Sequence, residues 1–147
     1  MDTVAQNQTL HHVRTTLRLT YGILPIVAGL DKFTNLLTDW EKYLNPTVAE
    51  MLPFSPHTFM LIVGVIEIIA GVLVFVKPRI GAYVVMAWLI GIALNLILSG
   101  GLYLDIAVRD LVMAIGAFTL AKVTEATTET SHFKANIQGR PAATPLY

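Results

Sequence analysis

The sequence contains no cysteine, and only 14% of its 147 residues are charged. Without cysteine the chain cannot form disulfides, bind an iron–sulfur cluster through thiolates or use a cysteine nucleophile. A soluble domain carries about 25% charged residues, so the shortage of charge indicates a membrane protein. The formal net charge of zero gives no support to nucleic-acid binding.

Several sequence motifs are also missing. No histidine lies in the interior of an apolar segment, so the pair of axial histidines typical of a membrane haem is not found. The chain has no phosphate-binding glycine loop and no metal-binding His-Glu-x-x-His helix. The adjacent His11 and His12 do not share a helical face, which favours a solvated tail over a metal site. The first sixteen residues are polar, and we predict no removable signal peptide.

Four apolar segments account for most of the chain: residues 17–37, 57–76, 80–98 and 103–121. Each is close to the roughly 20 residues that a membrane-spanning helix needs. The sequence therefore predicts an all-α fold, an antiparallel four-helix transmembrane bundle. The predicted parts are a polar N-terminal segment (residues 1–13), the transmembrane domain (14–123) and a polar C-terminal tail (124–147). The end of the tail, residues 139–147, is predicted to be disordered.

The first loop, residues 38–56, is the only sizeable connection. Trp40 and Tyr43 are typical of interfacial anchors. Thr47 and Glu50 have capping-box spacing, which predicts a short interfacial helix from Thr47 to Leu52. Ser55 and Pro56 are predicted to be the cap and first residue of the second span.

Basic residues predict the orientation. They are concentrated at the two termini and the middle turn, at Arg14, Arg18, Lys77, Arg79, Lys122, Lys134 and Arg140. On the opposite side, Lys42 is the basic residue clearly outside a span. The positive-inside rule therefore places both termini in the cytoplasm.

Glycines predict where the helices pack. Gly22 and Gly29 lie on one side of the first span, and Gly64 and Gly71 flank Glu67 on one face of the second. Small residues allow two helices to approach closely inside a membrane. Glu67 is consequently expected to face the protein interior.

Every predicted helix contributes a polar group to the outer half of the bundle, whereas the inner half is nearly all apolar. These groups are Asp31, Lys32, Glu67, Asn95, Arg109 and Asp110, with Asp105 at the rim and expected to pair with Arg109. Such a layer is either an ion-pair network that fixes helix register or a pocket that binds a small molecule or handles protons. We favour the pocket, because the six ionisable residues of this layer, which are all of those named except Asn95, exceed what is needed to fix the register of the helices.

Three aromatic residues, Phe33, Trp88 and Tyr103, are able to stack on a quinone ring. Packing or interfacial roles are the more common alternative for such residues.

Four short stretches carry a resemblance to a known family: Tyr21-Gly22, Ala28 to Phe33, Glu67 to Gly71, and Arg109-Asp110-Leu111. Over about residues 14–123 the chain resembles the DoxX-like family of four-helix membrane proteins. This family includes the small subunit of thiosulfate:quinone oxidoreductase. The resemblance implies a bacterial cytoplasmic (inner) membrane and functional positions at Lys32, Glu67 and Asp110.

The first functional hypothesis is a small subunit of a quinone-linked membrane redox complex, with no covalent cofactor. Glu67 and Asp110 would handle protons, while the ligand would be bound by Lys32, Arg109, Asp31, Asn95 and Trp88. Electrons would come from a partner redox protein or a bound cofactor. Whether the chain is itself an enzyme is left open.

Two alternatives stay open at this point. One is a non-catalytic scaffold or assembly subunit, in which the charges fix the register of the helices. The other is a small-solute or proton permease, working as an oligomer, although the sequence lacks a paired broken-helix signature.

Overall fold

The computed structural model describes residues 3–138, and this part of the chain is all-α, as predicted. Five α-helices and one 3₁₀ turn follow one another: α1 (Thr3–Asp31), the 3₁₀ turn (Glu41–Tyr43), α2 (Pro46–Met51), α3 (Pro56–Val76), α4 (Pro78–Leu98) and α5 (Leu104–Gln138). Within the described residues, α3 and α4 are the two helices long and apolar enough to cross a membrane by length and composition.

The ends of α3 and α4 follow from local chemistry. The Ser55 side chain accepts a hydrogen bond from the Thr58 N–H (3.2 Å), and Pro56 begins α3, as the sequence predicted. Lys77 alone separates α3 from α4, because proline at position 78 is suited to a first helical turn. Gly100 and Gly101 have φ of 84° and 82°, so the turn into α5 requires their conformational freedom.

The short helix in the first loop is present, but its predicted capping box is wrong. Asn45, rather than Thr47, is the N-cap: its side chain accepts a hydrogen bond from the Thr47 N–H at 2.8 Å. Pro46 then occupies the first helical position. A cap two residues earlier satisfies the free N–H groups at the helix start.

The first long helix ends earlier than its apolar pattern suggests. The prediction that it runs to residue 37 is wrong, because the Asp31 carboxylate accepts hydrogen bonds from the N–H groups of Leu36 (3.0 Å) and Leu37 (3.1 Å) and folds the chain back. In the other direction α1 continues to Thr3, and α5 continues to Gln138 beyond the predicted membrane domain. The predicted disordered tail, 139–147, lies outside the described residues.

The four long helices share one apolar core. It contains Tyr21, Ala70, Val74, Ala82, Val85, Leu89, Ala114, Ala117, Leu120 and Ala121. A smaller cluster of Ala93, Leu96 and Ala107 packs against Tyr43 and Tyr103. The many alanines allow the helices to approach closely.

Glycines set the antiparallel contact between α1 and α3. A Cβ on Gly29 would lie 2.5 Å from the Gly64 carbonyl oxygen, and a Cβ on Gly71 would lie 2.5 Å from that of Gly22. A Cβ on Gly22 would overlap the Phe75 ring. All four glycines singled out in the sequence thus lie where the two backbones meet, and larger residues would separate the helices.

Candidate functional site

A buried ion pair joins α3 to the residue that follows α1. Lys32 Nζ lies 2.6 Å from Glu67 Oε2, and the two side chains are 4% and 6% exposed. The close approach of Gly29 and Gly64 brings them together, since Lys32 is three residues beyond the first and Glu67 three beyond the second. Charges removed from water are costly unless they are paired and hydrogen-bonded, and here both charges are paired.

A third helix also contacts Glu67. The Trp88 indole Nε1 on α4 donates a hydrogen bond to Glu67 Oε1 at 3.2 Å. Each carboxylate oxygen of Glu67 therefore accepts one hydrogen bond, one from Lys32 and one from Trp88. The pair connects α1, α3 and α4 at one point.

Trp40 covers the ion pair from the first loop. Lys32 Nζ lies 3.7 Å from the centroid of the Trp40 ring, in cation–π geometry. Sequence reasoning identified Trp40 as an interfacial anchor and missed this contact with Lys32. Trp40 lies in a loop, and the direction of a loop side chain cannot be predicted from helical or strand periodicity.

Asp31 holds this aromatic cover in place. Its Oδ2 accepts a hydrogen bond from Trp40 Nε1 at 2.7 Å, in addition to the loop N–H groups described above and the Thr34 hydroxyl at 3.3 Å. The carboxylate is therefore fully used in organising the loop. Its contacts are those of a positioning group, and its predicted role in ligand binding stays a prediction.

Asn95 lies in a separate polar cluster. Its Nδ2 donates to the Tyr43 carbonyl at 2.8 Å, and its Oδ1 accepts from the Asn45 N–H at 3.3 Å. Tyr43 packs edge-to-face on Tyr103, with ring centroids 4.9 Å apart. These contacts fasten the first loop to α4, and they do not join Asn95 to the Lys32–Glu67 pair.

The two adjacent charges on α5 point in different directions. Asp110 is 5% exposed and continues the buried stripe of Ala107 and Ala114, whereas the Arg109 side chain is 66% exposed. Successive residues on a helix are about 100° apart, so both cannot face the interior. Arg109 Nε lies 3.6 Å from Asp110 Oδ1, in place of the predicted pair with Asp105.

The site therefore combines a buried ammonium, a carboxylate, the N–H group of Trp88 and the ring face of Trp40. Asp110 is a further buried carboxyl group, on α5. Such a set can donate hydrogen bonds to carbonyl oxygens and exchange protons. Across the described residues, no group of three histidine, aspartate or glutamate side chains is arranged to hold a metal ion.

The two long apolar helices and the buried charges indicate an all-α membrane protein. The DoxX family profile matches residues 13–98, more than half of the chain, so the chain belongs to the DoxX family. The matched part includes Lys32, Trp40, Glu67 and Trp88 but ends before Asp110. No curated protein and no solved structure matches the chain.

Proposed function

We propose that this DoxX-family protein is a small membrane subunit of a quinone-linked redox complex and that the Lys32–Glu67 pair forms its quinone site. The observation that carries the proposal is the burial of a full ion pair that contacts two tryptophan side chains. Replacing a buried ion pair by apolar residues is often neutral or stabilising, so stability alone does not explain its presence. Ionisable groups within membrane helices are functional by default.

The donor set fits a quinone headgroup, which has two carbonyl oxygens. A bound quinone would supply two-electron, two-proton redox chemistry. Lys32 Nζ has three N–H groups, of which Glu67 accepts one, so it is the donor available to the quinone oxygens, and its charge stabilises negative charge that develops there. Trp88 Nε1 would donate to a quinone oxygen only by leaving Glu67. Glu67 holds and releases a proton, and Asp110 is the second carboxyl group able to pass one on. Electrons come from a partner redox protein.

The proposal includes four crossings of a bacterial inner membrane, by α1, α3, α4 and α5, with both termini cytoplasmic. Its support is that α1 and α5 share the core of α3 and α4 and expose large apolar side chains, such as Leu30 (54%) and Val112 (62%). The basic residues outside the spans favour this orientation. The ion pair then lies in the outer half of the membrane.

A scaffold role is the second candidate, and one observation favours it. Glu67 already accepts a hydrogen bond on each oxygen, and Lys32 is paired and covered by Trp40. A closed network of this kind fixes the register of three helices without any ligand. Under this alternative the charge on Glu67 is dispensable as long as its shape and hydrogen bonds are kept.

Purification from native membranes followed by native mass spectrometry tests the proposal. A stoichiometric redox protein together with bound quinone is the expected result. A protein partner without quinone would support the scaffold, and an unaccompanied oligomer would support a permease.

Complementation of a deletion strain separates the first two functions further. Glu67→Gln keeps the volume of the side chain but cannot transfer a proton. The redox proposal predicts loss of function, with the exposed Glu50→Gln as matched control. Full complementation by Glu67→Gln would remove the proton-handling role.

A further inference from the structure

The end of the bundle opposite the Lys32–Glu67 pair is rich in basic side chains. This basic end is formed by Arg14 and Arg18 of α1, Lys77 and Arg79 at the α3–α4 turn, and Lys122 of α5. The acidic side chains described on the same part of α5 are Glu125 and Glu129. Positive charge is therefore in excess there.

Glu125 is already occupied by partners at this end. It accepts hydrogen bonds from Arg79 Nε (2.9 Å), Lys122 Nζ (3.0 Å) and the Tyr83 hydroxyl (3.2 Å). The hydrogen bond from Lys122 is the main cause that lowers the pKa of Glu125 and keeps it ionised. The Glu125 carboxylate forms ion pairs with Arg79 and Lys122 and is therefore not available to the arginines of α1.

Arg14 and Arg18 lack a counter-ion among the described residues. No described carboxylate lies within ion-pair distance of either guanidinium, and both Nε atoms are buried without an acceptor in the described chain. Arg18 Nη2 donates to the Phe75 carbonyl, in the last turn of α3. A guanidinium is always charged and has five N–H donors, and within the described residues one hydrogen bond from Arg18 is accepted and none from Arg14.

The positions of the two arginines suit one shared ligand. They are four residues apart, hence on the same face of α1, and both side chains are only half-buried. Arg18 contacts Phe75, which lies two residues before Lys77 in the sequence. Lys77 is the single residue that separates the apolar helices α3 and α4. This is the level at which a membrane-spanning bundle meets lipid headgroups.

We propose that Arg14 and Arg18 bind the phosphate of an anionic phospholipid in the leaflet at the basic end. Guanidinium groups bind phosphate oxygens in bidentate geometry, and here the Nη groups would do so, because the Nε atoms are buried. A lipid is favoured over a free anion because large apolar side chains lie exposed close by for its acyl chains, including Leu19 (49%) and Val76 (68%). This inference does not depend on the quinone proposal.

Lipid-dependent melting of the delipidated protein in detergent tests the inference, with native mass spectrometry as a second readout. Phosphatidylglycerol is expected to raise the melting temperature and to remain bound, whereas phosphatidylcholine and inorganic phosphate are not. Arg14→Gln should weaken phosphatidylglycerol binding about tenfold, the effect of one lost charge-assisted hydrogen bond. Arg109→Gln, which removes an exposed arginine from the opposite end, is the matched control and should bind normally.

Three results would overturn the inference. The first is an Arg14→Gln variant that keeps the full phosphatidylglycerol shift. The second is equal stabilisation by inorganic phosphate, which would indicate a soluble-anion site. The third is equal loss in Arg109→Gln, which would indicate a general charge effect. Arg14 is the residue to change first, because Arg18 also donates to the α3 backbone and its loss can impair folding.

Discussion

Glu67→Leu should destabilise the protein strongly. The substitution leaves the Lys32 ammonium, on a side chain only 4% exposed, without its carboxylate. Breaking one side of a buried ion pair costs about 3–5 kcal/mol. For a chain of this length that corresponds to a fall of about 6–20 °C in melting temperature.

Two further variants separate the charge from the shape of Glu67. One oxygen of the carboxylate accepts a hydrogen bond from Lys32 and the other accepts one from Trp88, whereas an amide has a single oxygen. Glu67→Gln should therefore leave one donor without an acceptor, at a cost of about 1–3 kcal/mol. The double variant Lys32→Met/Glu67→Leu leaves no unpaired charge, so it should melt above Glu67→Leu. It also loses the contacts of the pair with Trp40 and Trp88, so it should melt somewhat below the wild-type protein.

Circular dichroism of purified protein in detergent measures all three melting temperatures, with the exposed Glu50→Gln as control. The expected order places Glu67→Leu lowest and Glu67→Gln between it and the wild type. If Glu67→Leu melts within about 2 °C of the wild type, the burial of the pair is wrong. A double variant as unstable as Glu67→Leu would show that packing, not charge, dominates at this site.

In the same melting assay, Gly64→Leu should lower the melting temperature because its side chain would press on the Gly29 carbonyl. Gly91→Leu should leave the melting temperature unchanged or raise it, because a Cβ at Gly91 meets open space. Trp40→Ala should cost about 2 kcal/mol through the lost cation–π contact, in addition to the lost hydrogen bond to Asp31. Trp40→Phe loses the hydrogen bond but keeps an aromatic ring, so it should cost less. Since the pKa of Glu125 is lowered, its stabilisation is complete above its ordinary pKa of 4.5 and is lost as pH falls through the lowered value. Glu125→Gln should therefore flatten the fall in melting temperature below about pH 4.5.

The sequence predicts α3 and α4 to within two residues because strong local signals bound them. Ser55-Pro56 begins one, and Lys77-Pro78 separates it from the next. The end of α1 was not predictable from hydropathy, because Leu36 and Leu37 extend the apolar run beyond it. The helix ends at Asp31 through side-chain hydrogen bonds to those same residues, and such capping leaves little trace in an apolarity pattern.

The candidate site was predictable in part. Flanking glycines indicated that Glu67 faces a close helix contact, and it does. Arg109 was assigned to the interior from its depth alone, but depth does not determine the direction of a side chain. The alanines at 107 and 114 carry the missing signal, since they share a helical face with Asp110 and not with Arg109.

Tryptophan fluorescence gives the most direct test of the quinone site, because the chain has two tryptophans and both contact the ion pair. Titration of the purified protein with a short-chain quinone should quench this emission saturably. Lys32→Met/Glu67→Leu, which keeps both indoles, should lose the saturable component. Saturable quenching that is equal in the wild type and this double variant, or absent from both, would contradict a quinone site at Lys32 and Glu67.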